Sequence, residues 1–494
     1  SYMFKDAILS NPDTSGWDVT TLTDAVGMFA GVTLSTGNYE RLLINWATQD
    51  LNSGVGFGGG NSNYCTTAAV TARASMEADD GWGITDGGPL CNPGDDFVST
   101  WKTNNPGTSG SSEITIPISG GPYEVDWGDG AGFSGTGLMG STTHTYGGAG
   151  TYTVRVRGVY DSFRFDPVSD REKILSVDQW GTNQWKSMRE AFYAAHNLQV
   201  PATDIPDFSA LSDLSYMFYE AEMANPDTSG WDTSSATDMG FMFYDAFAAR
   251  PVTTGWDTSR VVNMESMFQF SWADAPASAN PDTSNWDTSS VTNMRFMFGQ
   301  AKSADPDTSG WDTSRVVNMS SMFESATSAK PDTSAWDVTS LLDATDMFKG
   351  VSLSTDSYDN LLVSWDAQDL QSGVVFSGGD SFYCTAQAAA ARANMMAADS
   401  WVISDAGQCG DTYTVGGTVT GLVGGGLVLR NNDTDDLSIT SDGDFTFNTP
   451  LGDLSNFKVT VAIQPVNQRC TVEDGSGTLA GADSTITVVT CRHL

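Results

Sequence analysis

Residues 225–243 read NPDTSGWDTSSATDMGFMF, and nearly the same text returns as NPDTSNWDTSSVTNMRFMF at 280–298 and as DPDTSGWDTSRVVNMSSMF at 305–323. Within each of two runs, at residues 3–29 and 217–348, the Met-Phe pair that closes each copy recurs every 25 residues, except for one step of 30 between Phe268 and Phe298 that carries an insertion around Trp272. A period of this length indicates repeats that pack on their neighbours. The pairs stand at residues 3–4, 28–29, 217–218, 242–243, 267–268, 297–298, 322–323 and 347–348.

Within one repeat, the apolar spacing favours a short helix. Offsets of 0, 3, 6, 7 and 10 fit one helical face better than the alternation of a strand, and the Asp-Thr-Ser before them offers N-cap residues. The Pro-Asp-Thr-Ser upstream of each Trp is predicted as a brief strand that begins with Pro. Each repeat is therefore predicted as a coil of strand, turn and helix. The helical face is read from Val316, Met319, Met322, Phe323 and Ala326.

The pattern WDTSxVxNMxxMFxxA resembles the repeat of the BspA-like leucine-rich-repeat proteins of bacterial surfaces. The resemblance covers about residues 1–91 and 174–410. It implies an LRR-like solenoid with coils of about 25 residues. In this chain Thr takes the place of the aliphatic residue usual in the strand, so we expect an open, polar variant.

A longer segment is present twice and is predicted to close the solenoid ends. GVTLSTGNYERLLINW at 31–46 recurs as GVSLSTDSYDNLLVSW at 350–365, and both copies continue to a pair of cysteines. An open end exposes core side chains and strand edges, so a cap is required.

Two further segments are predicted as β-sandwiches. EITIPISGGPYEVDWGDG and THTYGGAGTYTVRVRG, between the repeat regions, resemble a PKD-type immunoglobulin-like domain, and the last 84 residues resemble transthyretin-like or Ig-like domains. The predicted fold class is a multidomain α/β and all-β chain, with an LRR-like solenoid, disulfide-closed caps and two β-sandwiches. The predicted domains are the coils and cap of a first solenoid at 1–91, a PKD/Ig-like sandwich at 92–172, a second capped solenoid at 173–410 and a C-terminal sandwich at 411–494.

The charge balance limits the partners. Asp and Glu number 61 against 23 Lys and Arg, for a net charge of -38. This field repels nucleic acid and anionic membranes and favours cations or weakly charged partners. No apolar run approaches the roughly 20 residues of a membrane helix, so neither nucleic-acid binding nor membrane insertion is expected. Ser1 falls inside a repeat, and we expect the chain to be a mature fragment or the ordered part of something longer.

The six cysteines fall into three local pairs. None forms a CxxC, and each pair closes a short loop, so disulfides are favoured over zinc. Disulfides indicate an oxidising location, and with the resemblance they predict an extracellular protein of a bacterial cell surface. The predicted bonds are Cys65–Cys91, Cys384–Cys409 and Cys470–Cys491.

No catalytic constellation is found, and the chain is predicted not to be an enzyme. His144, His196 and His493 are scattered, and neither HExxH nor GxSxG occurs. Paired carboxylates of a glycosidase stay open as an alternative in so acidic a chain.

Aspartates at repeated positions are the candidate metal ligands. Equivalent residues on adjacent predicted strands would lie about 4.8 Å apart and repel, so they must bond to backbone, spread towards solvent or bind a cation such as calcium. Val252 interrupts the row. No other cofactor is expected. The calcium candidates are Asp227, Asp282, Asp307 and Asp332 in the repeats, with Asp126 and Asp129, for which turn-capping is the alternative.

Two functions follow from this reading. The first is a structural, self-assembling surface protein of the fibre or filament type, because solenoids and sandwiches alternate without a catalytic set. The second is an adhesin that binds a host protein or glycan through the concave face of the solenoid, with Trp272 in the insertion as a candidate binding residue.

Overall fold

The computed structural model describes residues 2–165, 169–271, 280–409, 412–432, 434–452, 455–479 and 482–493. The chain forms two compact units. Unit 1 comprises Ser1–Ser381 and Ala390–Asp405, and unit 2 comprises Phe382–Ala389 and Ala406–Leu494.

Two regions of similar structure, which we name the first cap (residues 31–91) and the second cap (residues 350–409), contain all four α-helices of the described residues. The strands within each cap pair in parallel, β1 with β3 and β2 with β4, then β14 with β16 and β15 with β17. The first cap has α1 (Thr36–Trp46), β1 (Gly56–Gly58), β2 (Asn63–Tyr64), α2 (Thr67–Ala78), β3 (Gly83–Thr85) and β4 (Gly88–Pro89). The second cap has α3 (Thr355–Asp366), β14 (Val375–Ser377), β15 (Phe382–Tyr383), α4 (Ala386–Ala398), β16 (Val402–Ser404) and β17 (Gly407–Gln408).

The β region, residues 92–180, lies between the first cap and the long series of repeats. Its main sheet is antiparallel with the order β13-β5-β11-β8-β9, and β6 pairs with β10 and β7 with β12. A short 3₁₀ helix (Pro93–Asp95) precedes it. The strands are β5 (Phe97–Lys102), β6 (Glu113–Ile116), β7 (Ile118–Ser119), β8 (Tyr123–Asp126), β9 (Phe133–Leu138), β10 (Thr142–Thr145), β11 (Thr151–Gly158), β12 (Ser162–Phe163) and β13 (Ile174–Gln179).

Unit 2 contains two four-stranded sheets whose side chains meet in one apolar cluster. The orders are β22-β19-β27-β25 and β21-β20-β24-β26, and only β19 and β27 pair in parallel within the two sheets as described. A further pair joins β18 and β23. The strands are β18 (Thr412–Tyr413), β19 (Val415–Thr420), β20 (Leu427–Asn431), β21 (Asp435–Ile439), β22 (Gly443–Thr446), β23 (Leu451–Gly452), β24 (Asn456–Ile463), β25 (Gln468–Glu473), β26 (Ser476–Thr478) and β27 (Ser484–His493).

The predicted fold class, an LRR-like solenoid of strand-turn-helix coils with two β-sandwiches, is wrong. The described residues of 182–354 contain neither a helix nor a strand, only turns and isolated bridges. The helices are few, short and confined to the caps, and the remaining regular structure is mostly small antiparallel sheets. We name residues 182–349 the turn stack.

Backbone conformation explains why the repeats do not become helices. Ser321 and Ser325 have φ values of 53° and 58°, in the left-handed region that an α-helix cannot contain. The amides of Met322 and Glu324 close turns onto the carbonyls three residues earlier, at 3.2 and 3.1 Å. Every second amide therefore has no acceptor within its own repeat and can donate to a neighbouring repeat. These amides, of Met319, Ser321, Phe323 and Ser325, donate to the carbonyls of Asp343, Thr345, Met347 and Lys349 in the next repeat at 2.7–2.9 Å.

The same backbone ladder joins the repeats before this one, and aromatic side chains fill the interior behind it. Phenylalanines from six successive repeats stack with centroids 5.6–5.8 Å apart and ring planes within 12°. All six are buried, so each ring is covered by the repeats on either side. The column consists of Phe218, Phe243, Phe268, Phe298, Phe323 and Phe348.

Buried threonines add a side-chain ladder to the backbone one. In most repeats of the turn stack, Asp-Thr-Ser places its Thr inside, where the hydroxyl donates to a carbonyl of the next repeat, as from Thr308 to Asp332 at 2.9 Å and from Thr313 to Asp337 at 2.8 Å. The threonines that replace the expected aliphatic residue are therefore interior donors. In the last repeat the position of Thr313 is taken by Val338, whose own amide donates to the Gln368 side chain of the cap at 2.8 Å.

The threonine ladder predicts that position 313 requires a hydroxyl and that position 338 requires an apolar side chain. Thr313→Val should lower the free energy of unfolding by about 1–3 kcal/mol, because the buried carbonyl of Asp337 loses a donor. Val338→Thr should also destabilise, because it buries a hydroxyl where Val now packs. Chemical denaturation of the whole protein measures both, with Ala335→Ser at an exposed position as the control. A stabilising Thr313→Val would contradict the ladder.

A buried guanidinium is one of several contacts that join the first cap to the β region and to the start of the turn stack. Arg41 on α1 has a side chain only 2% exposed, and it donates to Asp161 at 3.4 Å and to the carbonyls of Tyr160 and Gln184 at 3.4 and 3.3 Å. The corresponding residue of the second cap, Asn360, is exposed. The two caps are thus similar in sequence and structure, but the helix position that is buried in the first cap is exposed in the second.

This difference supplies a matched pair of variants. Arg41→Met should lower the free energy of unfolding by about 2–4 kcal/mol, since two buried carbonyls lose their donor. Asn360→Met should change it by less than about 0.5 kcal/mol, as expected of an exposed position. Equal losses in denaturant titrations of the two variants would show that Arg41 does not join these regions.

Candidate functional site

The repeated aspartates of the turn stack form exposed hydrogen-bonded turns. Each side chain accepts the amide of the Ser two residues later, at 3.0–3.1 Å. The Ser hydroxyl, first, and this amide, second, lower the pKa of each carboxyl from its ordinary value. Backbone bonding and exposure to solvent therefore account for the row. Its members are Asp227, Asp282, Asp307 and Asp332.

The second row was predicted to cap helices and caps turns instead. Its aspartates accept the amide two residues later at 2.9–3.1 Å, where no helix begins. As at an N-cap, a carboxylate accepts a nearby backbone amide, but the residues that follow form a turn and not a helix. The row consists of Asp232, Asp257, Asp287, Asp312 and Asp337.

Asp126 and Asp129 cap a turn of the β region. They accept the amides of Gly128 and Ala131, each at 3.0 Å. Asp129 also meets Nε2 of His144 at 3.0 Å, and its pKa is lowered first by the Ala131 amide. The two carboxylates therefore have turn-capping partners, which was the alternative to cation binding.

No group of three or more His, Cys, Asp or Glu side chains suited to a metal ion occurs in the described residues. Calcium binding stays a prediction. Trp272, the candidate binding residue of the insertion, lies outside the described residues. The three disulfides join the predicted pairs: Cys65–Cys91, Cys384–Cys409 and Cys470–Cys491.

The aspartate turns predict an acid-sensitive stack. The folded pKa of Asp307 lies below its ordinary 3.8, so the stabilisation is present above about pH 4 and is lost as the pH falls through the folded pKa. Ser309→Ala should raise the Asp307 pKa, because it removes the hydroxyl that lowers this pKa most. Ser309→Thr keeps a hydroxyl at this position and should retain the lowered pKa. Carboxyl NMR titration measures both. An unchanged pKa in Ser309→Ala would assign the shift to the backbone amide alone.

A group of half-buried aromatic rings lies on the surface of the first repeats of the turn stack, and we name it the tyrosine patch. In one column Tyr219 stacks between Tyr193 and Tyr244, with centroids 4.7 and 4.6 Å apart and ring planes within 5°. In the second column Tyr216 stacks on Phe241 at 4.6 Å and 6°. Contacts of 5.6 and 5.9 Å join the columns. The five rings form one continuous surface.

The patch is confined to these repeats. In the next repeat, the positions of Phe241 and Tyr244 are taken by Ser266 and Gln269, which continue neither column. One ring, Phe296, returns at the first of these positions one repeat later. The rings are therefore not required by the repeat fold, which accepts small polar residues at the same places.

Two of the rings sit on unfavourable backbone. Tyr216 and Phe241 have φ values of 58° and 59°, and a bulky residue in the left-handed region costs about 1–3 kcal/mol. Ser266 and Ser321 hold the same conformation, at 53°, with less steric conflict. Strained aromatic residues where a small one suffices indicate a role other than folding.

Cations and carboxylates surround the patch. Arg171 lies 5.9 Å above the Tyr193 ring and Arg189 lies 5.8 Å above Tyr216. Burial, as the largest cause, raises the pKa of all four tyrosine hydroxyls. Nearby carboxylates raise it further, with Glu220 next in effect at two of the four, so the surface is both aromatic and negatively charged.

The sequence interpretation missed this patch. The signal was present, because alignment of the repeats on Met-Phe places Tyr or Phe at two otherwise polar positions in consecutive copies. What the alignment does not give is the direction of these side chains, since the predicted helix would have placed them differently.

A protein-family profile described as "Mycoplasma protein of unknown function, DUF285" matches residues 1–54, 165–279 and 270–383, more than half of the chain. The chain belongs to this family. Family membership and the disulfides indicate a bacterial surface protein of unknown function. The BspA-like, PKD-like and Ig-like resemblances stay predictions.

Neither the curated proteins nor the solved structures contain a match to the chain. Within the described residues, no helix combines the length and the apolar character needed to cross a membrane.

Proposed function

We propose that the protein is a non-enzymatic, extracellular structural component of a bacterial surface. The observation that carries this proposal is the backbone ladder of the turn stack, in which several amides of each repeat donate to the next. A stack joined by main-chain bonds at every step resists bending and local opening, because each repeat loses bonds to both neighbours when it moves.

Closed ends and covalent bonds support the same role. Each cap seals the repeats before it with buried aromatic side chains, as with Trp46 in the first cap and Trp365 in the second. Cys65–Cys91 belongs to the first cap and Cys384–Cys409 to the second. Disulfides that close loops of this size stabilise by roughly 3 kcal/mol, which suits a protein outside the cell.

Self-association into fibres is the assembly we propose. Apolar side chains of unit 2 are strongly exposed, with Val423 at 63% and Ile463 at 58%. Apolar area of this kind favours burial against another surface.

Electron microscopy tests this assembly. The purified protein should form elongated oligomers at high concentration, and the double variant Val423→Ser/Ile463→Ser should form fewer, because apolar contact area is removed. Val375→Ser, which removes an exposed apolar side chain from the second cap, is the control. Dispersed monomers at every concentration, with and without calcium, would contradict self-assembly.

Adhesion is the second candidate function, and the tyrosine patch is the observation that favours it. Tyr and Arg are enriched among residues that dominate binding energy at protein interfaces, and Tyr193 and Tyr216 each lie beside an Arg. The proposed partner is a host or surface protein, or a glycan, bound on the turn stack. Neither nucleic acid nor a membrane interior is proposed as a partner.

A further inference from the structure

At one end of the tyrosine patch, two ring faces are not covered by a further ring of the same columns. Tyr244 closes one column and Phe241 the other, and the next repeat offers Gln269 and Ser266 at these positions. The inner faces are covered by ring-on-ring stacking at 4.6–4.7 Å. Both rings are half-buried, so a ligand that stacks on the patch would meet these two faces at one end and ring edges along the rest.

Two other rings of the patch already lie beside guanidinium groups. Arg189 lies 5.8 Å above Tyr216 and 3.4 Å from Glu190, and Arg171 lies 5.9 Å above Tyr193. Rings of the patch thus already hold cations, one of them together with a carboxylate. The combination is the one that binds Arg and Lys side chains.

We propose that the tyrosine patch binds a basic polypeptide segment, whose Arg or Lys side chains stack on Tyr244 and Phe241. This inference rests on adhesion, the second proposed function, and names its partner class. Glu220 lies next to Tyr219 and adds negative charge for the bound cation.

The charge of the whole chain favours this occupant. With a net charge of -38, the protein attracts a basic segment at long range. A sugar chain needs a row of open ring faces, whereas the rings here cover one another. The rings are also held by their stacking, so little side-chain entropy is lost on binding.

The test uses variants that leave the net charge unchanged. Phe241→Ser/Tyr244→Gln installs the residues that the next repeat carries at the same positions, so the fold is expected to accept them. Phe296→Ser removes a ring at an equivalent position outside the patch and is the matched control. The probe is a fluorescent nona-arginine peptide, titrated by anisotropy in about 150 mM salt, where exposed charges are screened beyond about 8 Å.

The wild type and Phe296→Ser should bind the peptide at least tenfold more tightly than the double variant. Equal affinity of all three would overturn the proposal, because charge alone would then explain binding. Patch-dependent binding of an uncharged glycan instead, or patch-dependent dimerisation in sedimentation experiments, would also overturn it. None of these results bears on the ladder that supports the structural role, so the two proposals fail separately.

A second measurement covers the case in which the double variant does not fold. Hydroxyl-radical footprinting of the unmodified protein should show Tyr219, Phe241 and Tyr244 protected by nona-arginine, while exposed residues of unit 2, such as Val466, stay unprotected. Protection spread evenly over the acidic surface would overturn the proposal.

Discussion

The structure of the repeats depends on how their main-chain amides are shared. In each repeat alternate amides close local turns, as at Met322, and the others donate to the next repeat, as at Ser321. This division requires left-handed residues at fixed positions, and it removes the option of a helix. The phenylalanine column and the buried threonines follow from it, because residues at the same position of successive repeats are brought directly over one another.

Polar residues inside the stack are consistent with this constraint. A buried hydroxyl is costly unless it has a partner, and the ladder gives each threonine of the type of Thr313 a carbonyl one repeat further on. Where the following repeat is replaced by a cap, the residue is Val338. On the outside, the aspartates serve their own turns, so the property that first suggests metal binding is explained by local backbone chemistry.

Much of the construction was predictable from sequence, and the conformation was not. The repeats, the duplicated caps and the cysteine pairs follow from positions in the chain, and the Met-Phe residues from Met28 onward are buried as expected. The helix prediction was wrong because consecutive turns also place every third or fourth residue on one side. Ser321 and Ser325 carry no signal for a positive φ, as Gly would. The tyrosine patch was visible only as a deviation between repeats, and its ring contacts required coordinates.

The direction of the hydrogen bonds between repeats also gives the stack a net dipole. Four amides of the 319–325 segment point towards later repeats, and their counterparts in earlier repeats do the same, while a smaller number, such as those of Val317 and Ser328, point the other way. Peptide dipoles of about 3.5 D that align head to tail add up along their axis, as they do in an α-helix. The excess of aligned columns makes the second-cap end the positive pole. Copies of the chain joined end to end would extend this polarity. A surface layer built from such copies would have two electrically different faces.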